Sequence, residues 1–358
     1  MSIIDRYIVK EVVRVLVILV IGLVILFYLV DFFEKIDSFI GADLSVPLVL
    51  TYFACKLPFV AAQMIPICLL LAVIITFGLM NRFNELVALR SGGVSIMSLL
   101  KPAVAVGGVL TASLFMISET VVPVTISKAN RIWLEEVKKK SVNTSRERNI
   151  WIKERRKIIH IEYYNPTKKT IYGVVVYEFD DAFNLVRRVD AVKGVFKEEG
   201  WILDDVMEQK YNTSTGIFDV LLHRQISEPM DLQPDDLTDV VRGSEEMGFI
   251  ELMDYIRQVE DEGYDATPYR VDLHAKAAFP FICLLMSLIG TGFAAKIRPK
   301  ESLPIVIVAA IGIAFLYWTG YGVFISLGYG ELLPPLVAAW TANAVFLFFS
   351  IYLLVIAA

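Results

Sequence analysis

Apolar runs long enough to cross a membrane constrain this chain more than any other feature of its sequence. Each run has about 20 or more mainly apolar residues, the length that an α-helix needs to span a hydrocarbon core of about 30 Å. We therefore predict an α-helical polytopic membrane protein in which three spans precede a polar insert and three follow it. The six predicted spans cover about 15–33, 60–80, 96–122, 274–295, 303–327 and 332–357.

Charged residues concentrate in the insert. The segment from Thr125 to Pro268 holds 21 of the 34 Lys and Arg residues and 28 of the 39 Asp and Glu residues. This distribution predicts an N-terminal membrane block over 1–124, an insert over 125–268 and a C-terminal membrane block over 269–358. Because the insert is mixed in sign and no basic domain exists, the composition argues against a nucleic-acid partner.

The ends of the first two spans need separate interpretation. Residues 1–14 mix basic and apolar side chains at helical spacing, which predicts an interfacial lead-in. No small-residue cleavage site follows the first span, so we expect a retained helix rather than a signal peptide. The second run, from Pro47 to Met80, contains one charge, Lys56. Pro58 is predicted to split that run into a short outer helix and a span that starts near residue 60.

The insert has the pattern of an antiparallel β domain. Its β-branched and aromatic runs are IWIKE, KIIHIEYY, TIYGVVVYEF, GVFKEEGWILDDV and GIFDVLLHR, with turn residues between them. Helical segments at Ile126–Lys140 and Phe249–Glu262 flank these runs. One face of each strand is apolar, and this face either closes an ordinary core or forms an open trough for a lipid.

Basic residues in short loops predict the orientation. With the N-terminus in the cytoplasm, the outer loops hold only Lys35 and Lys56, which agrees with the positive-inside rule. Both termini are then cytoplasmic and the insert lies outside the cytoplasm. The inner segments would hold Arg6, Lys10, Arg14, Arg82, Arg90, Lys101, Lys296, Arg298 and Lys300.

A short polar stretch, NRFNELVALRSGGVS, separates the second and third spans. It predicts a helix over about 81–92 that ends at Gly92-Gly93, because glycine adopts the left-handed cap conformation without penalty. The stretch is either a polar hairpin loop or a coupling helix that docks on a cytoplasmic partner.

No catalytic motif or phosphate-binding loop is present in the sequence. His160, His223 and His274 form no local metal cluster, and the three cysteines lie in or beside apolar runs. We therefore expect no metal and no cofactor in this chain. A transport machine without its own motor would need a separate motor protein. Asp31 and Glu119 lie near span ends, where an acid does not by itself indicate proton transport.

At this point several motifs resemble a known family. LMNRFNELVALRSGGVSI looks like the signature of the lipopolysaccharide export permeases of the LptF/LptG family. YRVDLHAKAAFPFICLLMSLIGTGFA and LLPPLVAAWTANAVFL resemble the fourth and last spans of that family, and the opening DRYIVKEVV fits as well. The resemblance covers the whole chain. RNIWIKERRKIIHIE and YEFDDAFNLVRRV are more similar to the LptG branch than to the LptF branch.

The resemblance implies a machine with several subunits in the cell inner membrane. It implies pairing with a paralogous LptF-like permease on a cytoplasmic, LptB-like ATPase dimer that consumes ATP. Such a pair extracts lipopolysaccharide from the inner membrane and passes it to a periplasmic bridge of LptC/LptA-like proteins. The bridge would begin at the insert, which would be periplasmic and similar to a jelly roll.

The resemblance also implies site residues. Members of the family line their lipid cavity with the first, second and fifth spans and carry basic residues near the outer end of the first span. Tyr28 stands where some relatives have lysine. The ATPase contact would comprise Arg82, Phe83, Glu85, Leu86, Leu89, Arg90 and Gly92. Lipid contacts would comprise Tyr28, Asp31, Lys35, Phe315 and Trp318 in the spans, with Ile150, Ile159 and Phe218 in the insert.

Two other functions are compatible with a membrane chain that carries a soluble insert. The first is a different ABC-type membrane subunit, although lipoprotein-release and mechanotransmission proteins typically have four spans with the soluble domain after the first. The second is a membrane sensor with a ligand-binding β domain. Co-purification of an ATPase would favour a transporter, and its absence would favour the sensor.

Overall fold

The computed structural model describes residues 2–137, 150–154, 156–165, 168–180, 183–197, 200–212, 216–230, 232–234, 237, 243–261, 265–296 and 303–357. The chain divides into two compact units. A helical unit comprises Met1–Ile132 and Ser244–Ala358, and a β unit comprises Trp133–Gly243. Arg298 and Lys300, which entered the orientation argument, lie outside the described residues, as do 138–140 of the predicted stem.

The helical unit contains the expected membrane spans. Five of its described helices are long and apolar enough to cross a membrane, and the bent pair α7–α8 makes a sixth candidate. This confirms the polytopic helical fold. The helices are α1 Ile3–Gly41, α2 Val46–Arg82, α3 Glu85–Ser91, α4 Ile96–Thr120, α5 Val122–Ile132, α6 Phe249–Asp261, α7 Thr267–Ala278, α8 Phe281–Lys296, α9 Leu303–Tyr329 and α10 Pro335–Ala357.

The first span is longer than the sequence predicted. Ser2 and Asp5 form a capping box, in which the Ser2 hydroxyl accepts from the Asp5 N–H and the Asp5 carboxylate accepts from the Ser2 N–H. From this cap α1 continues for 39 residues, or about 58 Å at 1.5 Å per residue. The predicted lead-in and the residues after Phe33 therefore belong to one helix with the span.

The prediction that Pro58 splits the second run is wrong. α2 is continuous for 37 residues and contains both Pro58 and Pro66. Pro58 has no N–H for the carbonyl four residues earlier, but neighbouring helices can compensate for such losses inside a bundle. Here the Tyr28 hydroxyl of α1 donates at 2.9 Å to the carbonyl of Phe53, one residue before the Ala54 carbonyl that Pro58 leaves without its helical donor.

The fourth span is broken, whereas one continuous segment was predicted over 274–295. α7 and α8 meet at an angle of 47° around Pro280. The Asn343 side chain from α10 donates to the Ala278 carbonyl at the break, at 2.8 Å. The Tyr317 hydroxyl from α9 in turn donates to Asn343 Oδ1 at 2.6 Å. Two neighbouring helices therefore stabilise the break.

Small residues let the central helices approach closely. A Cβ added at Gly107 of α4 would lie 2.2 Å from the Ser287 hydroxyl of α8, and one added at Gly290 would lie 3.1 Å from Val73 of α2. Close backbone approach of this kind is a common source of helix association in membranes, where lipid removes most of the hydrophobic driving force.

The β unit is a six-stranded antiparallel meander in which each strand pairs with the next along the chain. The antiparallel β insert is thus confirmed, and its described strands form one sheet in sequential order. The strands are β1 Ile150–Glu154, β2 Lys157–Asn165, β3 Thr170–Phe179, β4 Leu185–Lys197, β5 Gly200–Asn212 and β6 Ile217–Glu228. The chain before β1 forms a π-helix at Trp133–Val137.

β4 was only partly anticipated, because its first half, LVRRV, is rich in charge. Arg187 and Arg188 pair with Lys210 and Gln209 in the register with β5. The two arginines find acidic partners nearby, Glu208 and Asp190 respectively. A charged residue fits a strand when its neighbours supply the opposite charge.

One face of the sheet closes a core. Ile159, Val176 and Val189 lie side by side on neighbouring strands and are at most 1% exposed. Met230, Leu232 and Leu237, which follow β6, belong to the same buried cluster. The Trp201 indole N–H donates to the Leu232 carbonyl at 2.8 Å. This part of the apolar face is therefore covered by protein.

Candidate functional site

A cluster of charges lies between the Gly41 end of α1 and the first half of α2. Asp31, which is 7% exposed, forms ion pairs with the ammonium groups of Lys35 at 3.0 Å and Lys56 at 3.1 Å. Asp31 and Lys35 share a face of α1 because they are four residues apart. Lys35 also donates to the Tyr52 hydroxyl at 2.7 Å.

Aromatic rings surround these charges. The Lys35 ammonium lies 5.2 Å from the centre of the Tyr52 ring, and the Lys56 ammonium lies 5.5 Å from that of Phe27. Rings at these distances attract a cation through their quadrupole. Two ammonium groups share one carboxylate, so the cluster carries an excess positive charge of one. This arrangement suits an anionic oxygen, such as that of a phosphate.

The sequence identified Tyr28, Asp31 and Lys35 but missed Lys56 and Tyr52 as members of this cluster. The Tyr28 hydroxyl is used by the backbone of α2, so this side chain supports the site rather than facing a ligand. A signal for Lys56 was available: a charge inside an apolar run needs a partner, and Asp31 was the acid of the facing span.

An exposed apolar stripe runs along α1 on a different face from the Asp31–Lys35 pair. Its members recur every three or four residues and are more than half exposed: Ile18, Ile21, Ile25, Leu29 and Phe33. A lipid, or another membrane subunit, can cover such a stripe.

The two predicted lipid residues of α9 do not lie together. Phe315 is 68% exposed. Trp318 turns into the helical unit, where its ring lies 6.0 Å from that of Phe279. Only Phe315 is placed to meet a ligand on the outer surface of α9.

α3, the predicted coupling helix, is shorter than the sequence indicated. Arg82 still belongs to α2, Asn84 adopts a left-handed conformation with φ 61°, and α3 starts at Glu85. The left-handed glycine after α3 is Gly93, with φ 83°, whereas Gly92 has φ −77°. A turn at Phe83 and Asn84 therefore separates the stretch into two helices.

Six of the seven predicted contact residues divide into two groups, and Glu85, which is half-buried, makes a contact of its own. Leu86 is buried and Leu89 packs against the same core, so both attach α3 to the unit. Arg82, Phe83, Arg90 and Gly92 are exposed. Glu85 accepts a hydrogen bond from the Tyr7 hydroxyl of α1 at 3.0 Å, a contact that the sequence did not predict.

The three predicted lipid residues of the insert also separate. Ile150 and Ile159 belong to the core of the β unit, at 8% and 0% exposure. Phe218 is 41% exposed on β6, where its ring contacts Tyr211 at 5.3 Å.

A second charge cluster in the β unit was not anticipated. Arg187 binds Glu208 at 2.5 Å and Glu228 at 2.9 Å, and Lys157 binds Glu228 at 2.9 Å. Glu228 is 1% exposed. The hydrogen bond from Arg187 lowers the pKa of Glu208 below its usual value. These paired charges fill one part of the covered face.

Comparison with known proteins agrees with this architecture. The family model for the lipopolysaccharide export system permease LptF/LptG matches residues 6–355. Two similar relatives are the lipopolysaccharide export system permease proteins LptG of Escherichia coli strain K12 and of Escherichia coli O6:H1 strain CFT073. Each is 22% identical over 367 residues, covering 99% of this chain and 98% of the relative. The chain therefore belongs to the LptF/LptG family of lipopolysaccharide export permeases.

Proposed function

We propose that this chain is the LptG-like permease subunit of an ATP-driven lipopolysaccharide exporter in the cell inner membrane. It would pair with an LptF-like paralogue, extract lipopolysaccharide from the membrane and pass it to an LptC/LptA-like periplasmic bridge. The family and the two relatives named LptG support this proposal.

The observation that carries the proposal is that one helix, α1, bears both an exposed apolar stripe and, near its Gly41 end, the Asp31–Lys35 part of the charge cluster. Acyl chains can lie along Ile18–Phe33 while a phosphate reaches Lys35 and Lys56. Each methylene kept from water contributes about 0.8 kcal/mol, so a lipid with many acyl chains needs a continuous apolar path. The excess positive charge of the cluster matches an anionic head group.

The energy would come from a separate LptB-like ATPase dimer. α3 offers an exposed surface with Phe83 and two arginines beside it, and its Glu85 is bonded to α1. Because α1 is one helix from Ile3 to Gly41, displacement of α3 can reach the lipid stripe through Tyr7. This gives ATP turnover a mechanical route to the lipid.

The proposed orientation follows the positive-inside rule, with cytoplasmic termini and a periplasmic β unit. β6 lies at the edge of the sheet, and apolar side chains such as Val220 and Leu222 are exposed on it. An edge strand of this kind can extend into the sheet of a bridge protein.

Site-specific photo-crosslinking in the assembled complex tests the lipid path. A photoreactive residue at Ile25 should capture lipopolysaccharide, and Lys56→Met should reduce its capture by about tenfold, consistent with the loss of a desolvated charge contact. Val345 of α10, which is 52% exposed, is the matched control and should capture little.

Equal capture at Ile25 and Val345 would contradict the lipid path. Absence of an ATPase from the complex purified from native membranes would instead favour the membrane sensor. A different ABC-type complex would be identified by the same purification.

A further inference from the structure

A partly open cavity of ≈ 310 Å³ lies inside the helical unit. Side chains of α2, α4, α5, α7 and α9 line it together with the 3₁₀ turn Ser244–Glu246. α1 contributes nothing to its described lining, and the cavity shares no residue with the Asp31–Lys35–Lys56 cluster. It is therefore distinct from that cluster and from the α1 stripe, although Trp318, one of the predicted lipid residues, lines it.

Two opposite charges face this cavity without a direct partner. Lys276 comes from α7 and Glu245 from the 3₁₀ turn. Within the part of the chain that the structure describes, neither side chain makes a hydrogen bond or an ion pair within 4.0 Å, so the two also do not bond each other. Lys276 is half-buried within the span that contains α7, where a charge normally pairs or faces a ligand. Glu245 is exposed at the mouth of the cavity, so its carboxylate is accessible to a second charged group.

The other acids near the cavity already have partners. Asp272 accepts a hydrogen bond from the Tyr329 hydroxyl. Both carboxylate oxygens of Glu119 lie within 2.8 Å of the Phe249 N–H at the start of α6. Lys276 and Glu245 are thus the two charges that remain for a ligand.

Four aromatic side chains form another part of the cavity wall. Trp318 lies 6.0 Å from Phe279 and 6.2 Å from Tyr321 between ring centres, and Phe59 completes this wall. Rings of this kind attract an ammonium group and also pack against acyl chains.

We propose that this cavity binds the zwitterionic head group of a phosphoethanolamine glycerophospholipid, with its phosphate at Lys276 and its ammonium at Glu245. A ligand with an anionic and a cationic group satisfies both side chains at once. A purely anionic lipid would leave Glu245 unpaired beside its own charge. In contrast to the Asp31 cluster, the described wall holds two acids, Glu245 and Asp272, and one base, Lys276, so it has an excess negative charge of one.

Lipid retention by the full-length complex tests this assignment. The complex is reconstituted with phosphatidylethanolamine and phosphatidylglycerol, stripped with detergent and examined by native mass spectrometry. The parent should retain phosphatidylethanolamine selectively. Lys276→Met should lower that retention by about tenfold or more, because it removes a half-buried charge contact. Glu245→Gln should lower it less, because Glu245 is exposed. Lys101→Met, at an exposed lysine of α4, is the control and should match the parent.

A variant in which the two charges are exchanged controls for lipid loss that results only from misfolding. The double variant Lys276→Glu, Glu245→Lys should retain phosphatidylethanolamine better than either single reversal, because a zwitterion can bind in the opposite direction. Equal retention of phosphatidylglycerol, or unchanged retention in both neutral variants, would overturn the proposal. Displacement of the retained phospholipid by lipopolysaccharide that carries phosphoethanolamine would overturn the choice of a glycerophospholipid.

Discussion

The Tyr7 hydroxyl of α1 donates a 3.0 Å hydrogen bond to the carboxylate of Glu85, the first residue of α3. The two residues are 78 positions apart, and their contact joins the proposed ATPase-facing helix to the helix that carries the lipid stripe. The hydrogen bond is exposed, so its contribution to the stability of the fold is small, on the order of 1 kcal/mol. Its position suits transmission of movement from α3 to α1 better than stabilisation of the fold.

Removal of this contact should uncouple ATP turnover from lipid release. Glu85→Ala and Glu85→Lys should leave the permease folded and inserted, because exposed charge contacts contribute about 0–1 kcal/mol. Lipopolysaccharide release should collapse, and Gly92→Val should have a weaker effect. The measurement is ATPase activity beside lipid release in reconstituted vesicles.

Tyr7→Phe separates the two roles of Glu85. This variant keeps the acid available to an ATPase but removes its bond to α1, so ATP hydrolysis should persist while lipid release falls. Asp254→Asn, on the exposed surface of α6, provides a neutral control. If Glu85→Lys matched the parent in both assays, the stretch would be only a polar loop.

Asn343 should be essential to the broken fourth span. Asn343→Leu leaves the Ala278 carbonyl and the Tyr317 hydroxyl without their partner, and each buried unsatisfied group costs about 1–3 kcal/mol. The unfolding midpoint in detergent should therefore fall. Thr341→Val, which removes an exposed hydrogen bond within α10, should change it little. Equal midpoints for these two variants would mean that the break does not depend on Asn343.

The number of spans could be predicted from the sequence, because the length of an apolar run is a local property. The extent of α1 did not, since Lys35 and Asp37 suggested an end, whereas the Asp31–Lys35 pair lets the helix continue. The continuity of α2 through Pro58 and the partnership of Lys56 with Asp31 both depend on the register between two helices. The spacing of residues within one helix does not indicate how that helix is aligned with the other.

The same distinction applies to the site residues. Helical spacing placed Leu86 and Arg90 on one short helix, but only packing shows that Leu86 is held in the core while Arg90 is exposed. In the insert, the alternation of apolar and charged residues along the strands identified an apolar face. The chain after β6, through Leu232 and Leu237, determines how much of that face is covered.

Topology can be tested by labelling with a membrane-impermeant thiol reagent. In a chain without its three natural cysteines, a cysteine at the exposed Asn184 turn should react in cells whose outer membrane is permeable. A cysteine at Val87 of α3, which is 43% exposed, should react only after the inner membrane is broken. The motivation is the asymmetry of basic residues across the short loops. Reversal of the two results would invert the proposed orientation.

Acid should weaken the β unit through Glu208. Its pKa is lowered in the folded protein, chiefly by the hydrogen bond from Arg187. A carboxyl group with a lowered folded pKa stabilises the fold above its unfolded pKa of about 4.3, and this stabilisation is lost as the pH falls through the folded value. Hydrogen exchange in β4 and β5 of the full chain should therefore accelerate below about pH 4.3, and Glu208→Gln should flatten this dependence.

Arg187→Met gives the stronger test of the same cluster at neutral pH. It removes the shared partner of Glu208 and of Glu228, which is 1% exposed, so the free energy of unfolding should fall by about 3–5 kcal/mol. Arg188→Met is the neighbouring control. The Arg188 side chain is 37% exposed in its pair with Asp190, and loss of such a surface pair costs about 0–1 kcal/mol. If Arg187→Met and Arg188→Met showed equal hydrogen-exchange rates at neutral pH, and Glu208→Gln followed the parent in acid, the cluster would stabilise the fold no more than a surface ion pair does.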